Sequence, residues 1–348
     1  MRILHIGYAL AQASGVTTFV ENVGSKQRLA GYGVDIVDAA ATGDSDEARG
    51  ISDRIAKCDI VHLHCLWQLH QYAKAANEAG VPIVWSTHGM TAPWAMHHKW
   101  LKKQLAWWAF QRRDLLQAAA IHCTTEQEAG WNRRLGLGNC FVAPLGTNEG
   151  VAVSRHSLGA RVLLFVGRIH PVKGLENLIR AWGLAVGHET SAVHGERWKL
   201  RIVGPDEDGY MARLSALVSR LGLGGSVEFA GPKYGDELSG EYDGCDCLVL
   251  PSFTENFGAT VVDAMAHGKP VITSTFTPWH EVKERGCGWW VSNEPESLAR
   301  AIGEMIGMGE EARNAMGVKG RELIAEKYSW DAVTGKLNDV YLQITKRD

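Results

Sequence analysis

The stretch LVLPSFTENFGATVVDAMAHGKPVITS, residues 248–274, contains one complete unit of an α/β fold. A strand-like apolar run, LVLPS, is followed by a polar loop with Glu255, by a helical pattern that begins near Phe257 or Gly258, and by a second apolar run. A strand, a helix and a second strand in this order form a parallel pair. The sequence therefore predicts a parallel sheet with an informative loop beyond its first strand, where ligands of such sheets bind.

The same alternation of apolar runs and helical patterns occurs in both halves of the chain. The first half contains RILHIGYA, VDIVDA, DIVHLHC and PIVWSTH, with helices predicted from about Thr17 and near 69–79. The rhythm restarts with RVLLFVGR and continues through WKLRIVG, SVEFAG, DCLVLPS and PVITS, with helices from about Leu175 and through 211–221. A chain of 348 residues is long enough for two such α/β domains.

The boundary between the two domains is expected near residue 150. Residues 144–160 lack periodicity and are rich in Gly and Ser, which is typical of a linker. The expected domains are therefore 1–150 and 151–328. A further helix is predicted for 329–348.

Charge and cysteine content exclude several classes of protein. The 36 Lys and Arg against 39 Asp and Glu leave a formal charge of −3, so we expect no nucleic-acid partner. The seven cysteines are scattered without a CxxC pair, which favours neither disulfides nor a zinc ribbon and fits a reducing cytoplasm. We recognise no signal peptide and no apolar run long enough to span a membrane, so a cytoplasmic location is expected.

The loop GRIHPVKG, residues 167–174, follows the strand-like run VLLFV and precedes a helix. Arg168 offers a planar fork to phosphate oxygens, and Lys173 places a point charge near the helix N-terminus. Both suit a diphosphate. The alternative is a pair of solvated cations in a surface loop.

Two acids, Glu255 and Asp263, flank the start of the helix in the opening stretch. The first helical N–H groups are free, and Gly258 allows a ligand close to the backbone. Glu255 would accept from a sugar hydroxyl, while Asp263 would face a more distant part of the ligand, since eight helical residues span about 12 Å. That distance exceeds the roughly 5 Å of a retaining-glycosidase pair. The alternative is a helix-start glutamate and a solvated aspartate.

Three further motifs have competing interpretations. His62 and His64 point to one face of a strand, as a metal pair or as packed strand-end histidines would, and no third ligand is identifiable. The acidic triplets at 44–46 and 206–208 match either a metal-binding D-x-D or solvated turns, which their composition favours. The start GYALAQASG lacks the G-x-G-x-x-G of dinucleotide dehydrogenases.

The segment HHKWLKKQLAWWAFQRRDLLQA, residues 97–118, predicts an amphipathic helix. Its apolar face consists of Leu101, Leu105, Trp108, Ala109, Leu115 and Leu116. Its basic face contains Lys99, Lys102, Lys103 and Arg113 together with Phe110, and Trp100 and Trp107 flank that face. Two interpretations remain open: peripheral contact with an anionic membrane, or an ordinary helix whose apolar face lies in the domain core.

The loop GRIHPVKG and, about 80 residues later, PSFTENFGATVVDAMAHGKPVITS together resemble the C-terminal domain of glycosyltransferase family 4. The resemblance extends over VGPDEDGY, VEFAGP, the TPWHE loop and YSW, and more loosely over SGVTTFVENV, DIVHLH, STHGM and APLGTN. It implies the GT-B fold, in which two Rossmann-like parallel-sheet domains face each other across a cleft. It also implies that the terminal helix, 329–348, crosses back to the first domain.

In the donor domain, the resemblance implies that Arg168 and Lys173 hold the diphosphate of a nucleotide sugar. Asp263 stands where the family usually has a second Glu that holds the ribose hydroxyls, and its shorter side chain changes that reach. The residues that the resemblance places around the transferred sugar are Glu255 and the backbone of Asn256, Phe257 and Gly258. The loop from Gly231 through Pro232 to Tyr234 would border the base.

In the first domain, the resemblance places two residues near the donor. Gly15 matches the last glycine of the family's glycine loop, although Ser14 replaces a second glycine that is common there. His88, in STHGM, matches a histidine that lines the reacting centre. Judged by its type alone, His88 is better explained as a hydrogen-bonded histidine at a strand end.

The resemblance implies a retaining, metal-independent hexosyltransferase in polysaccharide biosynthesis. Its donor would be a UDP- or GDP-sugar and its acceptor a glycan or lipid-linked glycan, with no cofactor, at the inner face of the cytoplasmic membrane. The alternatives are a non-catalytic nucleotide-sugar binding or scaffold protein, or a nucleotide-sugar epimerase or disaccharide phosphorylase on the same fold.

Overall fold

The computed structural model describes residues 1–11, 15–41, 45–97, 100–147, 160–187, 192–193 and 196–346. The chain forms two compact units. The first contains Met1–Gly146 together with Trp330–Asp348, and the second contains Thr147–Ser329. Most of the expected linker, residues 148–159, lies outside the described residues.

The first unit contains a sheet of six parallel strands. They are β1 (Arg2–Gly7), β2 (Gly33–Asp38), β3 (Ile60–His64), β4 (Ile83–Ser86), β5 (Ala120–Cys123) and β6 (Cys140–Val142). Their order across the sheet is β2-β1-β3-β4-β5-β6. The four strands predicted from apolar runs are confirmed, whereas β5 and the three-residue β6 were not predicted from the sequence.

Helices cover both faces of this sheet, so its central strands are buried on both sides and consist of continuous rather than alternating buried positions. The helices of the first 146 residues are α1 (Gly15–Leu29), α2 (Ser45–Ile55), α3 (His70–Glu78), α4 (Pro93–His97), α5 (Trp100–Ala106), α6 (Arg112–Gln117) and α7 (Glu126–Arg134). A π-helical segment, Trp107–Gln111, joins α5 to α6. The prediction of one continuous α-helix over 97–118 is therefore wrong, since a π-helical segment lies between α5 and α6.

The second unit contains another parallel sheet, whose strand order determines where a ligand can bind. Its strands are β7 (Arg161–Val166), β8 (Ala192–Val193), β9 (Glu196–Val203), β10 (Val227–Gly231), β11 (Cys247–Leu250), β12 (Val271–Ser274) and β13 (Gly288–Val291). The parallel order is β10-β9-β7-β11-β12-β13, and the short β8 pairs antiparallel with β9. The order reverses beside β7, and open α/β sheets bind ligands in the crevice at such a reversal.

The helices of the second unit confirm the predicted alternation. They are α8 (Leu175–Val186), α9 (Tyr210–Arg220), α10 (Gly235–Gly244), α11 (Ala259–Ala266), α12 (Glu281–Glu284), α13 (Pro295–Gly307) and α14 (Glu310–Leu323). A 3-10 turn, Pro171–Lys173, precedes α8, and a π-helical segment, Ile324–Tyr328, follows α14. Helix α8 begins at the predicted Leu175, and α11 begins one residue after the predicted Gly258.

The last helix, α15 (Trp330–Thr345), packs against the first unit. Leu337 and Tyr341 of α15 share a buried core with Phe19 of α1 and Ile60 of β3. Within the described part of the chain, no helix has the length and the apolar character that crossing a membrane would require.

Helix α14 is placed by a close approach between two backbones. A Cβ atom on Gly317, in the middle of α14, would lie 1.8 Å from the carbonyl oxygen of Gly268, which follows α11. Only a residue without a side chain allows this contact. Gly303, in α13, offers a contrast, because it is exposed and a Cβ there would meet no described atom within 4 Å.

We predict that Gly317→Ala lowers the free energy of unfolding of the second unit by about 1–3 kcal/mol, because α14 must move away from Gly268. The matched variant Gly303→Ala adds the same methyl group in open space and should stabilise the unit by about 0.5–1 kcal/mol, since Ala favours a helix interior. Urea unfolding of both variants measures the difference. Equal stability of the two variants would contradict this account of the packing.

Candidate active site

The loops that follow β7 and β11 meet where the strand order reverses. Lys173 Nζ lies 2.5 Å from Glu255 Oε1, and the Ser252 hydroxyl donates to the same oxygen at 2.7 Å. Only 16% of the Lys173 side chain and 12% of the Glu255 side chain are exposed. The sequence predicts separate roles for Lys173 and Glu255, and the structure brings them into direct contact.

The position of Lys173 depends on how closely the two loops approach. Lys173 ends the 3-10 turn, and Gly174 then takes a left-handed conformation with φ 71°. A Cβ on Gly174 would lie 2.2 Å from the Pro251 carbonyl oxygen, so the loops can meet only at a glycine. The Phe253 N–H donates to the Val172 carbonyl at 2.8 Å and holds the loops together.

The N-terminus of α11 lies beside this contact and has no side-chain cap. Gly258 precedes it with φ 82°, and a Cβ there would lie 3.0 Å from Leu250 and 3.1 Å from Trp279 Nε1. The Trp279 indole donates to the Phe257 carbonyl at 2.5 Å and stabilises the turn that precedes α11. Uncapped N–H groups at a helix start suit the oxygens of an anionic or hydroxyl-bearing ligand.

Asp263, in α11, is partly buried rather than solvated. Its Oδ1 accepts a hydrogen bond from the Thr147 hydroxyl at 3.0 Å. Burial raises the pKa of Asp263 to about 6, against the opposing effect of that hydrogen bond. Its carboxyl group therefore changes charge close to neutral pH.

Arg168 pairs with a residue that the sequence analysis did not connect to it. Its Nη1 lies 2.6 Å and 2.8 Å from the two carboxylate oxygens of Glu207, and 57% of its side chain is exposed. In the same acidic triplet, Asp206 accepts from the Met211 N–H at 2.9 Å. Glu207 therefore pairs with the loop after β7, and Asp206 accepts from the first turn of α9. The other triplet, 44–46, begins outside the described residues.

The loop proposed to border the base begins where β10 ends. Gly231 takes φ 71°, and its carbonyl accepts from the Gly204 N–H at 2.9 Å. Pro232 follows, and Tyr234 exposes 71% of its surface beyond it. The loop thus lies at the same carboxyl edge of the sheet as the loop after β9.

In the first unit, the carboxyl edge of the sheet carries local backbone strain. Four residues other than glycine have positive φ in the loops after β1, β3 and β4: Ala9 (59°), Cys65 (76°), Trp67 (80°) and His88 (46°). Such conformations cluster at functional sites. His88 is half-buried, and Gly15 begins α1, while residues 12–14 of the glycine loop lie outside the described part.

Glu128 holds the loop that carries His88, and the sequence analysis missed it. Its carboxylate accepts from the Thr87 hydroxyl at 2.7 Å and from the Gly89 N–H, on either side of His88. It is fully buried, so these bonds offset the cost of its desolvation. The sequence contains a signal for Glu128, because Thr125 and Glu128 have the S/T-x-x-E spacing of a capping box. Thr125 caps α7 in the structure.

Five histidines form a cluster in the first unit: His5, His62, His64 and His122 are fully buried, and His88 is half-buried. His5 on β1 is the third imidazole beside His62 and His64 that the sequence analysis could not identify, and one ligand atom from each lies within 4.8 Å of the others. Burial lowers the pKa of His5 to about 4 and that of His88 to about 3. It also lowers the pKa values of the remaining three, His62, His64 and His122.

Residues 100–108 of the predicted helix 97–118 expose large apolar side chains, contrary to one of its two interpretations, and so does the preceding Trp94. We call this set the aromatic patch: Trp94, Trp100, Leu101, Leu105 and Trp108, each at least 56% exposed. The interpretation that places Leu101, Leu105 and Trp108 in the core is wrong. The π-helical segment changes the register and turns other residues inward, namely Trp107, Gln111, Asp114 and the predicted Leu115.

Two of these inward residues are polar, and each has a hydrogen-bond partner for a side-chain oxygen. Gln111 Oε1 accepts from the Trp67 N–H at 2.7 Å, and Asp114 lies 2.7 Å from His70 Nδ1. A periodicity argument that assigns polar residues to the surface could not anticipate these pairs.

We predict that acid destabilises the first unit more than the second. Buried neutral histidines have lowered pKa values in the folded state, so unfolding takes up protons below about pH 6.5. Their contribution to stability is complete above pH 6.5 and is lost as the pH falls towards 4. Each histidine can cost up to about 1.4 kcal/mol per pH unit in that window.

Hydrogen exchange at pH 7.5 and 5.5, corrected for intrinsic rates, measures this difference. The opening free energy of β1 and β3 amides should fall by several kcal/mol. The β7 and β9 amides are the internal control, because no described histidine of the second unit is buried and the raised pKa of Asp263 acts in the opposite sense. An equal response of the two sheets would refute the assignment.

Two protein-family models match this chain, one in each half. Residues 148–323 match the family model described as glycosyl transferases group 1, and residues 47–146 match the glycosyl transferase 4-like domain. A D-inositol 3-phosphate glycosyltransferase 2 of Catenulispora acidiphila is 29% identical over 308 residues, which cover 81% of this chain and 70% of that protein. A D-inositol 3-phosphate glycosyltransferase of Salinispora tropica is 32% identical over 184 residues, 52% of this chain. This chain spans only 38% of the Salinispora protein.

Solved structures extend the likeness over the whole chain. A glycosyltransferase from Rickettsia africae superposes with a TM-score of 0.78 at 15% identity, covering 100% of this chain and 99% of that one. An Anabaena protein in complex with UDP and glucose gives 0.73 at 17% identity, covering 99% and 100%. At such identities the likeness establishes the fold, an α/β fold of two domains. With the match over residues 148–323, the chain belongs to the glycosyl transferases group 1 family and has the GT-B fold.

Proposed function

We propose that this chain transfers a hexose from a UDP- or GDP-sugar to a hydroxyl of a glycan or lipid-linked glycan, with retention at the anomeric carbon. The observation that carries the proposal is the contact between Lys173 and Glu255 beside the uncapped start of α11. Family membership and a structural neighbour in complex with UDP and glucose support it.

The charges of the second unit suit a leaving diphosphate. Lys173 and Arg168 each pair with a carboxylate, and a diphosphate carries more negative charge than either partner. It would therefore compete for the same N–H donors, with the α11 N-terminus as a further source of them. These groups would stabilise the charge that develops on the leaving oxygen, and no metal is required for that role.

Glu255 would then position the sugar rather than attack it. When Lys173 turns to the diphosphate, the Glu255 carboxylate keeps its bond from Ser252 and is free to accept from a sugar hydroxyl. The acceptor hydroxyl would attack the anomeric carbon on the face that the diphosphate leaves. One carbon–oxygen bond breaks, another forms, and the acceptor proton passes to the departing phosphate.

Asp263 is proposed to hold the ribose hydroxyls, as the second Glu of the family does. Its Oδ1 already accepts from Thr147, so Oδ2 would take a ribose hydroxyl. With a pKa raised to about 6, the carboxylate has its full accepting capacity only above that pH. Gly231, Pro232 and the backbone of Asn256 complete the proposed donor site.

We predict that Lys173→Ala and Glu255→Ala each reduce turnover at least about 100-fold, the usual effect of removing one charge-stabilising group from a reacting centre. Arg285→Ala is the matched control, because Arg285 forms an exposed ion pair with Glu326 at 2.7 Å, and such pairs contribute little. Unchanged turnover in Lys173→Ala or Glu255→Ala would refute these roles.

Thermal stabilisation by UDP, GDP, ADP and their sugars tests the donor site itself. A ligand at 100 times its Kd raises stability by about 2.7 kcal/mol, and Lys173→Ala should abolish the selective shift. No shift with any nucleotide at millimolar concentration would contradict the proposal.

Three alternatives are distinguished by product analysis. Donor binding without turnover for any acceptor would favour a non-catalytic binding or scaffold protein. Conversion of the donor without an acceptor would favour an epimerase, and a requirement for phosphate would favour a disaccharide phosphorylase.

We further propose that the aromatic patch contacts the surface of an anionic membrane, where a lipid-linked acceptor would be located. Isolated exposed apolar residues are ordinary, but five large ones between residues 94 and 108 favour an interaction surface. Basic side chains border them: Lys102 and Arg113 are exposed, and the Arg112 guanidinium lies 5.8 Å from the ring of Trp108. Exposed Trp and Leu beside Lys and Arg suit the headgroup region.

We predict that replacing Trp94, Trp100 and Trp108 together by Ser weakens co-sedimentation with phosphatidylglycerol vesicles at least about tenfold, because three interfacial aromatic side chains are lost. Leu29→Ser is the control, since Leu29 is an 80% exposed residue of the same unit outside the patch. Equal sedimentation of the triple variant and the unaltered protein would contradict membrane contact through this surface.

A further inference from the structure

Four of the five histidines and Ser86 lie on one face of four parallel strands, in two adjacent rows of the strand register. His5 of β1 pairs in register with His62 of β3, and His64 pairs with Ser86 of β4, which pairs with His122 of β5. Paired positions of neighbouring strands point to the same face of a sheet. His88 lies just beyond the end of β4. We call the five histidines together with Ser86 the histidine row.

Hydrogen bonds within the row have a fixed direction at one end, because a backbone carbonyl can only accept. His122 Nε2 lies 2.7 Å from the Ala143 carbonyl oxygen, so it carries the hydrogen and donates. Neutral His122 then accepts at Nδ1 from the Ser86 hydroxyl, at 2.6 Å. Ser86 in turn accepts from His62 Nε2–H at 2.6 Å, which leaves His62 Nδ1 to accept from the Tyr341 hydroxyl.

Contacts on two sides show how the amide of Gln27 is oriented. Its amide nitrogen donates to Asn338 Oδ1 at 3.0 Å. The carbonyl oxygen Oε1 of Gln27 is therefore the atom that faces His5 Nε2, at 2.8 Å.

A second chain of hydrogen bonds runs from Gln27 to His88. The orientation of the Gln27 amide sets which atom donates at each step of this chain. His5 Nε2–H donates to Gln27, so His5 Nδ1 accepts from His64 Nε2–H at 3.0 Å. His64 Nδ1 then accepts from His88 Nε2–H at 3.2 Å. Each imidazole carries one hydrogen, and the proton positions follow in sequence from Gln27 to His88.

We propose that Gln27, His5 and His64 are positioning residues that hold His88 in its Nε2–H tautomer, so that His88 Nδ1 presents a hydrogen-bond acceptor to a hydroxyl of the sugar substrate. Among the described residues no donor to His88 Nδ1 is recorded, and His88 is half-buried on a strained backbone. The second part rests on the proposed glycosyl transfer.

The tautomer makes His88 selective for one kind of ligand atom. A lone pair accepts from a sugar O–H, whereas phosphate oxygens are themselves acceptors and gain nothing from it. His88 therefore contributes to recognition of the sugar and not of the nucleotide diphosphate. Removing it should weaken the use of a sugar nucleotide while leaving the affinity for UDP or GDP alone unchanged.

Nitrogen-15 NMR of the full chain labelled at histidine tests the tautomer without any substrate. The imidazole signals should show His88 protonated at Nε2 and unprotonated at Nδ1, with the assignment made by loss of the signal in His88→Asn. A His88 protonated at Nδ1 would overturn the proposal. One equivalent of zinc in the purified protein, held by His5, His62 and His64, would also overturn it, because a metal would replace the hydrogen between His5 and His64.

Two variants separate the relay from general packing. Gln27→Met removes the anchoring acceptor at similar size, and we expect His88 to populate both tautomers and kcat/KM for the sugar donor to fall about tenfold, the worth of one hydrogen bond. Ser86→Ala interrupts only the chain from Tyr341 to His122 and should leave the His88 tautomer unchanged. A mixed tautomer in Ser86→Ala, with none in Gln27→Met, would refute the direction of the relay.

The outcomes distinguish this inference from the proposed function. If His88 has the Nε2–H tautomer but no sugar nucleotide binds, the proposed function fails and the relay stands. If sugar is transferred but His88 carries its hydrogen on Nδ1, the function stands and the relay fails. Should Gln27→Met not fold, the spectrum of the unaltered protein still decides the tautomer.

Discussion

The reversal of strand order beside β7 is the constraint on which the candidate donor site depends. β7 is the first strand of its unit, β9 forms on one side of it and β11 on the other. The loops after β7 and β11 are separated by about 80 residues of sequence, yet they leave the sheet side by side. Lys173 and Glu255 can therefore meet at 2.5 Å, provided that Gly174 leaves room for the Pro251 carbonyl.

The first unit faces a different physical constraint, because it buries a cluster of imidazoles together with polar side chains such as Gln27 and Ser86. Unpaired polar groups in such a core would be costly. Here their hydrogen bonds form two continuous chains that end on the Ala143 carbonyl and on the Gln27 amide. Satisfied networks of this kind specify one arrangement of side chains and one pattern of protons. The hydrogen bonds that offset the cost of burying these imidazoles also orient His88 at the carboxyl edge of the sheet.

Patterns that depend on local chemistry were readable from the sequence. Long apolar runs predicted the four leading strands of the first sheet, and GRIHPVKG and TENFG placed Lys173 and Glu255 in loops after strands. Short strands such as β6, with three residues, carry too few positions for a periodicity to be recognised. The sequence left open which side chains of residues 97–118 face the core for another reason: the π-helical segment changes the register, and polar pairs such as Asp114 with His70 take the core positions.

The sequence by itself determined the α/β class, the existence of two sheets and the loops that carry the candidate site, because period, turn residues and loop composition are properties of neighbours in the chain. The tertiary structure alone decided which distant groups meet. It brings Lys173 into contact with Glu255 and places His5 beside the two histidines of β3. It also places the Glu128 carboxylate within hydrogen-bond distance of the loop that carries His88. Such contacts depend on strand order and register, which arise only when the helices and strands pack together.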